Sequence, residues 1–446
     1  MFYIVENLEK LDLLKRTLRE DVYVQVIGRG FETHPFLDTP SLYYIRNLAT
    51  EEGYIIPVDH SEALNLPKDK VDEVLASIKN IYTLDRKYLL YFANNTNIVD
   101  VNLLSTLTEY KTIEEVPYPR YQETLVRNNP DLENIGYLTP LPLLYRYCQD
   151  TYDRCFKVVE KHREFLQDPS WKYHNDIFTS VLYLIEKNGI GVDREKLQQS
   201  FTFNNLHRSV KDNKIYTQYN PYNITSRPTN AFNGLNFLNI KKDSEERESF
   251  IPLNDYLMEV DFDGYHLRLL GSLVGFPFTE ESVHLQMGRM YFNKQELSEE
   301  EYKASKQRSF AYLYGQGASE KDSNPFFDKV EEYADKIWEE FKKNKQVRVP
   351  GSNKLYNKKI GDTNKRKLLN YFIQNIETTR NISALKTFLQ GMDKLESKVV
   401  LYIYDGIILD VKDNERVIIQ DLISKSLTKN GTYPVKTKIG DSYREL

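Results

Sequence analysis

The chain is poor in cysteine, with two in 446 residues, and Cys148 and Cys155 lie seven apart on one expected helix. That spacing excludes a disulfide between them and suits a reducing compartment. No apolar run approaches the length of a membrane span, and the first residues do not read as a signal segment. With 28% charged residues, the expectation is a soluble, cytoplasmic protein with no membrane partner. There is no internal repeat, no low-complexity tract and no zinc-ligand spacing. Aromatic residues are abundant instead, with 33 Tyr and 22 Phe. Tyrosine can stack on nucleobases, although most such residues fill cores and half-buried surfaces. The length supports two or three domains with cores of their own.

Three short segments carry chemistry. The first is Val-Asp-Phe-Asp-Gly-Tyr-His-Leu-Arg from Val260. In an extended strand, Leu257, Glu259, Asp261 and Asp263 share one face, and Met258, Val260 and Phe262 share the other. Asp261 therefore projects from a strand anchored on its opposite side. The third segment, Tyr-Ile-Tyr-Asp-Gly-Ile-Ile-Leu-Asp from Tyr402, sits in an apolar, β-branched run. Its Asp405-Gly406 pair is a hairpin signal that places Asp405 at the tip. Between them lies Lys-Gln-Arg-Ser-Phe-Ala-Tyr-Leu-Tyr-Gly from Lys306, where Lys306, Phe310 and Tyr314 recur at i, i+4 and i+8 on one helical face. Each signal has a plain alternative: Asp-Gly is usually only a turn, and an aromatic stripe is more often core. A lysine in the stripe argues against simple burial. Two carboxylates brought together could hold a pair of hard divalent cations about 4 Å apart, the arrangement used in two-metal nucleotidyl transfer.

Taken together, these segments resemble motifs A, B and C of family A DNA polymerases, the DNA polymerase I group. Further stretches carry the likeness: Asn-Gly-Ile-Gly-Val-Asp from Asn188, Thr225-Ser226-Arg227-Pro228-Thr229, Arg247-Glu248-Ser249-Phe250, and the trio Arg366, Asn370 and Gln374. The resemblance runs from about Ile177 to the C-terminus. It implies that Asp261, Asp405 and the carbonyl of Phe262 bind two Mg2+ ions, for which Mn2+ may substitute. It also implies that Lys306 meets the triphosphate, that Phe310 lies against the nucleotide, and that Tyr314 stacks near the templating base. Arg268 and His284 fall on the family's arginine and phosphate-contacting histidine, although a lone histidine is as often structural. Arg227, Arg366, Asn370 and Gln374 would face primer-template DNA.

Departures from the pattern matter as much. The motif A glutamate that screens the sugar 2′ position is replaced by His266, which opens the choice between deoxyribonucleotides and ribonucleotides. The usual His-Asp-Glu of motif C reads Tyr404-Asp405-Gly406, so its second carboxylate is missing. The fingers arginine falls on Tyr302, with Lys303 beside it as a substitute charge. Only 32 positions separate Asp193 from Thr225, where the family inserts a long helical thumb. From Lys342 to Lys367 there are ten Lys or Arg residues, Lys358, Lys359, Lys365 and Lys367 among them, against one acid, Asp362. That run is +9 within a chain of −5, leaving −14 elsewhere, and it suits a phosphate backbone.

The N-terminal part alternates strands and helices: Phe2 to Leu18 as a strand and amphipathic helix, then strands at Val22 to Ile27, Gly53 to Val58 and Tyr88 to Phe92. In order and spacing it resembles the 3′ to 5′ exonuclease domain of the family, which has a ribonuclease H-like fold. The expected Asp-x-Glu is absent, because the stretch reads Val24-Gln25-Val26-Ile27. Asp100 and Asp150 alone cannot assemble that chemistry. The expected architecture is therefore a degenerate α/β exonuclease-like domain at 1–165, without proofreading, and an α+β right-hand polymerase domain at 166–446 with palm, fingers and a minimal thumb near 193–225. The expected activity is template-directed DNA polymerisation from deoxynucleoside triphosphates, in the manner of compact phage enzymes within the host cytoplasm. A replisome partner would replace the thumb. The alternatives are a polymerase with relaxed sugar choice or template-independent activity, and a catalytically silent DNA-binding scaffold.

Overall fold

A computed structural model describes residues 2–18, 20–30, 34–95, 97–119, 135–201, 210–230, 235–314, 324–429 and 431–446. Part of the segment expected to hold a minimal thumb, 202–209, lies outside these. The chain divides into two compact units: Met1–Lys187 with Phe203–Tyr222 and Ala231–Leu235, and Asn188–Thr202 with Asn223–Asn230 and Asn236–Leu446. The first division thus falls at Lys187, later than the expected boundary at 165/166. One reason is a buried ion pair, in which Lys87 donates to Glu186 at 2.7 Å and ties the helix Thr179–Glu186 to the first unit.

The first unit is built on a six-stranded mixed sheet. Its strands are β1 (Phe2–Ile4), β2 (Asp21–Gly28), β3 (Pro40–Asn47), β4 (Gly53–Pro57), β5 (Asn80–Thr83) and β6 (Ile98–Asp100), in the order β1-β4-β3-β2-β5-β6. β2, β3 and β4 are antiparallel, whereas β5 runs parallel to β2, and β6 parallel to β5. The β-branched run of β2 is buried on both faces, as a central strand covered on two sides requires. One face packs on α1 (Leu8–Thr17) and α2 (Lys68–Ala76). The other packs on α3 (Val101–Glu109) and α4 (Leu141–His162). α4 presents Leu144, Cys148, Cys155 and Val159 to that core, a helical spacing, and both cysteines are buried and free. Tyr88 to Phe92 is no strand: Asp85 accepts from the Tyr88 N–H at 2.9 Å and caps a short helix, Arg86–Leu89. β3, β5 and β6 are strands that the sequence reading missed.

The second unit centres on a four-stranded antiparallel sheet. β7 (Tyr256–Phe262) lies between β11 (Gly406–Val411) and the edge strand β12 (Val435–Gly440), and β10 (Lys398–Ile403) flanks β11. After β7 the chain reverses through Gly264, at φ +57°, into α6 (Tyr265–Val274). A Cβ at Gly264 would stand 3.0 Å from that of Val283, so both the turn and the close approach call for glycine. α7 (Val283–Phe292) and α8 (Glu299–Tyr314) pack together, followed by α9 (Pro325–Asn344), a hairpin of β8 (Gln346–Arg348) and β9 (Leu355–Asn357), and the 27-residue α10 (Lys365–Gly391). α10 buries Leu368, Phe372, Ile382 and Leu385, and with them the polar Asn375, Glu377, Thr378 and Asn381. Among the described residues no helix is long and apolar enough to cross a membrane.

Candidate active site

β7 and β11 pair so that Asp261 stands opposite Gly406, and β12 sets Lys436 on its other side. The Phe262 N–H donates to the Asp405 carbonyl at 3.1 Å. This bond fixes the turn that carries Asp405 against the end of the strand that carries Asp261. The two-residue turn is Tyr404-Asp405, closed by the pair Ile403 and Gly406, one residue earlier than the Asp405-Gly406 expected. Tyr404 takes φ +50° there, a costly conformation for a tyrosine. It is held by Arg227, whose guanidinium lies 3.7 Å over the Tyr404 ring, and by Asn381, which donates to the Tyr404 carbonyl at 2.9 Å.

Both carboxylates are half-buried and perturbed. Burial, and then the charge of Asp405, pushes the Asp261 carboxyl up to about 6. Burial and Glu377 raise that of Asp405 against the opposing pull of His266 and Arg227. Neighbouring acids whose proton affinity is raised are a common mark of a functional site. A Cβ at Gly406 would meet the Val260 carbonyl oxygen at 3.2 Å and Asp261 Oδ1 at 3.5 Å, so a side chain there would press on the strand that carries Asp261. Among the described residues no group of three or more His, Cys, Asp or Glu converges on a metal position.

The stripe on α8 faces outward. Ser305, Ser309, Tyr312 and Leu313 are its buried residues, whereas Lys306 is exposed and Phe310 and Tyr314 are 41% and 42% exposed. Phe310 and Tyr314 stack with centroids 6.0 Å apart. Exposed rings beside an unburied lysine are not core, which sets aside the core reading of the stripe. His284 is buried beside it, with its ring 5.7 Å from Phe310 and 6.3 Å from Tyr302. Burial, and then Lys306, holds its imidazole down at about 4, hence neutral.

Other expected residues have partners within the chain. Arg268 is 5% exposed, and its guanidinium donates to the carbonyls of Asp263, Thr279 and Glu281 at 3.0, 2.7 and 2.8 Å. It braces the turn between β7 and α6. Arg227 is ion-paired with Glu377 at 3.2 Å in addition to its stacking on Tyr404. Lys303, beside Tyr302, pairs with Glu299 at 2.9 Å on the exposed start of α8. Arg366 pairs with Glu331 and covers the Tyr312 ring at 4.6 Å, while Asn370 and Gln374 are half-buried further along α10. The basic run is partly neutralised: Lys365 meets Glu331 and Asp335 at 3.0 and 2.7 Å, and Lys342 meets Glu339. Lys367 donates to the Asp362 carbonyl, and Lys358 and Lys359 are exposed on a short turn.

The residue that sequence reasoning missed is Glu377, 1% exposed on α10. Its carboxylate faces His266 Nε2 at 3.1 Å as well as Arg227, and His266 Nδ1 bonds to the Tyr314 hydroxyl. Burial pushes this carboxyl upward, but His266 and Arg227 outweigh it and hold it below the usual range. A continuous polar path therefore joins Tyr314 on α8 to the turn of Asp405, through His266, Glu377, Arg227 and Tyr404.

In the first unit, Asp100 is fully buried and caps α3, accepting from the Leu103 and Arg86 N–H groups and the Tyr222 hydroxyl at 2.8, 3.1 and 3.1 Å. Asp150 is exposed in the middle of α4.

No protein-family model matches the chain, and no curated protein matches it. Among solved structures it is similar to the POL domain of Pol1 from M. smegmatis, solved in complex with DNA primer-template and dNTP. The likeness covers 100% of each chain with a TM-score of 0.73 at 15% identity. The fold of this chain is therefore that of a DNA polymerase domain.

Proposed function

We propose that the chain is a template-directed DNA polymerase of family A type that adds deoxynucleotides to a primer 3′ end. The observation that supports the reading is the bond from Phe262 N–H to the Asp405 carbonyl, which joins the turn of Asp405 to the end of the strand of Asp261, in a chain whose α8 leaves Lys306, Phe310 and Tyr314 exposed on one face. The charge strain between the two carboxylates fits a cationic guest, and magnesium fills the rest of its shell with waters and phosphates. Asp261, Asp405 and the Phe262 carbonyl would hold the ions. When bound, these lower the pKa of the primer hydroxyl and neutralise the triphosphate. Lys306 supplies a flexible positive charge for the triphosphate, and the Phe310 ring offers a flat face to the nucleotide.

His266 stands where the resemblance expects a sugar-screening glutamate. Its two ring nitrogens engage Tyr314 and Glu377, so the imidazole is held from both sides and a carboxylate is supplied one step behind it. A rigid edge at this position supports deoxyribonucleotide choice over relaxed sugar use. In the first unit, the mixed sheet order supports an exonuclease-like ancestry, and the capping role of Asp100 supports loss of that activity. A short thumb implies brief engagement with DNA and a partner that prolongs it.

Primer extension with deoxynucleoside or ribonucleoside triphosphates, with and without template, tests the reading. Templated extension that favours deoxynucleotides is expected. Extension without template, or equal use of both sugars, would overturn it.

A further inference from the structure

Several cations near the two carboxylates have partners of their own. Arg268 donates to three backbone carbonyls, Arg227 pairs with Glu377, Lys242 stands 4.0 Å from Glu259, and Lys303 makes an exposed pair with Glu299. His284 is neutral. Lys306 is exposed on α8, yet a nucleoside triphosphate brings three to four negative charges, and Tyr302 occupies the place of the fingers arginine. The sheet offers a second cation. Lys436 lies on the edge strand β12, directly across from Asp261 on the side opposite Gly406. Its side chain is 62% exposed, and its ammonium is anchored on Asp263, which is 7% exposed.

That anchor sits between the two halves of the site. Asp263 also stands 3.6 Å from Arg268, and Gly264 next to it closely approaches Val283 at the start of α7. The next residue of α7, His284, packs edge-on against Tyr302, whose hydroxyl is 3.2 Å from Ser282 Oγ. Lys436 is thus held across from Asp261, and both Lys306 and Lys436 act on His284. A buried carboxylate flanked by Arg268 keeps the ammonium in place while leaving most of the side chain in solvent.

We propose that Lys436 is a second triphosphate-binding cation, presented by the palm edge strand in place of the arginine that Tyr302 displaces. The inference rests on the polymerase reading. It assigns the phosphate chain of the incoming nucleotide to a clamp formed by Lys306 on the fingers helix and Lys436 on the sheet.

The test compares the wild-type chain, Lys306→Ala, Lys436→Gln, Lys436→Arg and the double variant Asp263→Asn with Lys436→Gln, which removes the carboxylate along with its partner. Two readouts are taken on the primer-template complex: steady-state extension, and calorimetric binding of a deoxynucleoside triphosphate, which does not depend on turnover. Loss of one charge-assisted contact should raise both KM and the triphosphate Kd about tenfold in Lys436→Gln and in the double variant. In both, kcat and DNA affinity stay within about threefold, and Lys436→Arg recovers most of the loss. Unchanged KM and Kd in Lys436→Gln, beside a clear rise in Lys306→Ala, would overturn the inference alone. A loss that the double variant restores would also overturn it, by showing a purely structural pair. A wild-type chain that binds triphosphate through Lys436 but extends nothing would sink the polymerase reading and leave the site.

Discussion

Replacing Asp261 with asparagine should abolish extension and yet make the protein more stable. The Asp261 carboxyl is pushed from its usual 3.8 to about 6, by burial first and then by the charge of Asp405. Because the folded value is the higher one, the native state holds the extra proton between those two pH values. Stability therefore falls as pH rises through that window, and the full penalty applies above about pH 6. At about 1.4 kcal/mol per pKa unit, the ionised carboxylate costs at most about 3 kcal/mol. Partial exposure reduces this to about 2 kcal/mol. For a unit of this size, relief of that cost in Asp261→Asn should raise the melting temperature by roughly 4–8 °C at pH 8. Near pH 4 the gain should vanish. Scanning calorimetry across pH 4–8 measures it directly. Magnesium should raise the wild-type melting temperature through preferential binding to the folded state and leave the variant unmoved. A variant no more stable than wild type at pH 8 would refute the claim that the two carboxylates are held together against their own repulsion.

Glu377→Gln should act in the opposite sense. It leaves Arg227 without its counter-charge and should cost about 3 kcal/mol, read as a lower melting temperature at neutral pH. Because the carboxyl of Glu377 is held below the usual range, its contribution is present at neutral pH and lost on acidification, so the gap between variant and wild type should close in acid. Neutralising Lys358 and Lys359 together should lower the salt slope of DNA binding by up to about 1.8, whereas Lys365→Gln, already paired with acids on α9, should leave it near wild type. A mismatched primer end should survive incubation with the protein in magnesium or manganese, because Asp100 is committed to capping a helix. Steady degradation would show a working nuclease.

Much of the site was legible because it obeys local periodicities. Alternation put Asp261 on a strand face, the turn signal put Asp405 at the end of a hairpin, and the i, i+4, i+8 spacing of Lys306, Phe310 and Tyr314 described one helix face. What stayed hidden depends on tertiary neighbours. Glu377 sits in a helix beside Asn375 and Thr378, where a solvated face is the natural reading, and only the arrival of His266 and Arg227 makes it a buried hub. The +9 run looked unopposed because Glu331, Asp335 and Glu339 precede it, on α9. Arg268 matched a motif position while its guanidinium was needed by carbonyls that no pattern reveals. In the first unit, the aromatic run at Tyr88 to Phe92 imitated a strand because the capping role of Asp85 went unread.

The central claim is that Asp261 and Asp405 together carry nucleotidyl transfer. Primer extension by the wild-type chain, Asp261→Asn and Asp405→Asn, with DNA affinity measured in parallel, tests it most directly. The account predicts templated extension by the wild type, at least a thousandfold loss in either variant, and unchanged DNA binding in both. Extension by either variant at the wild-type rate would contradict it.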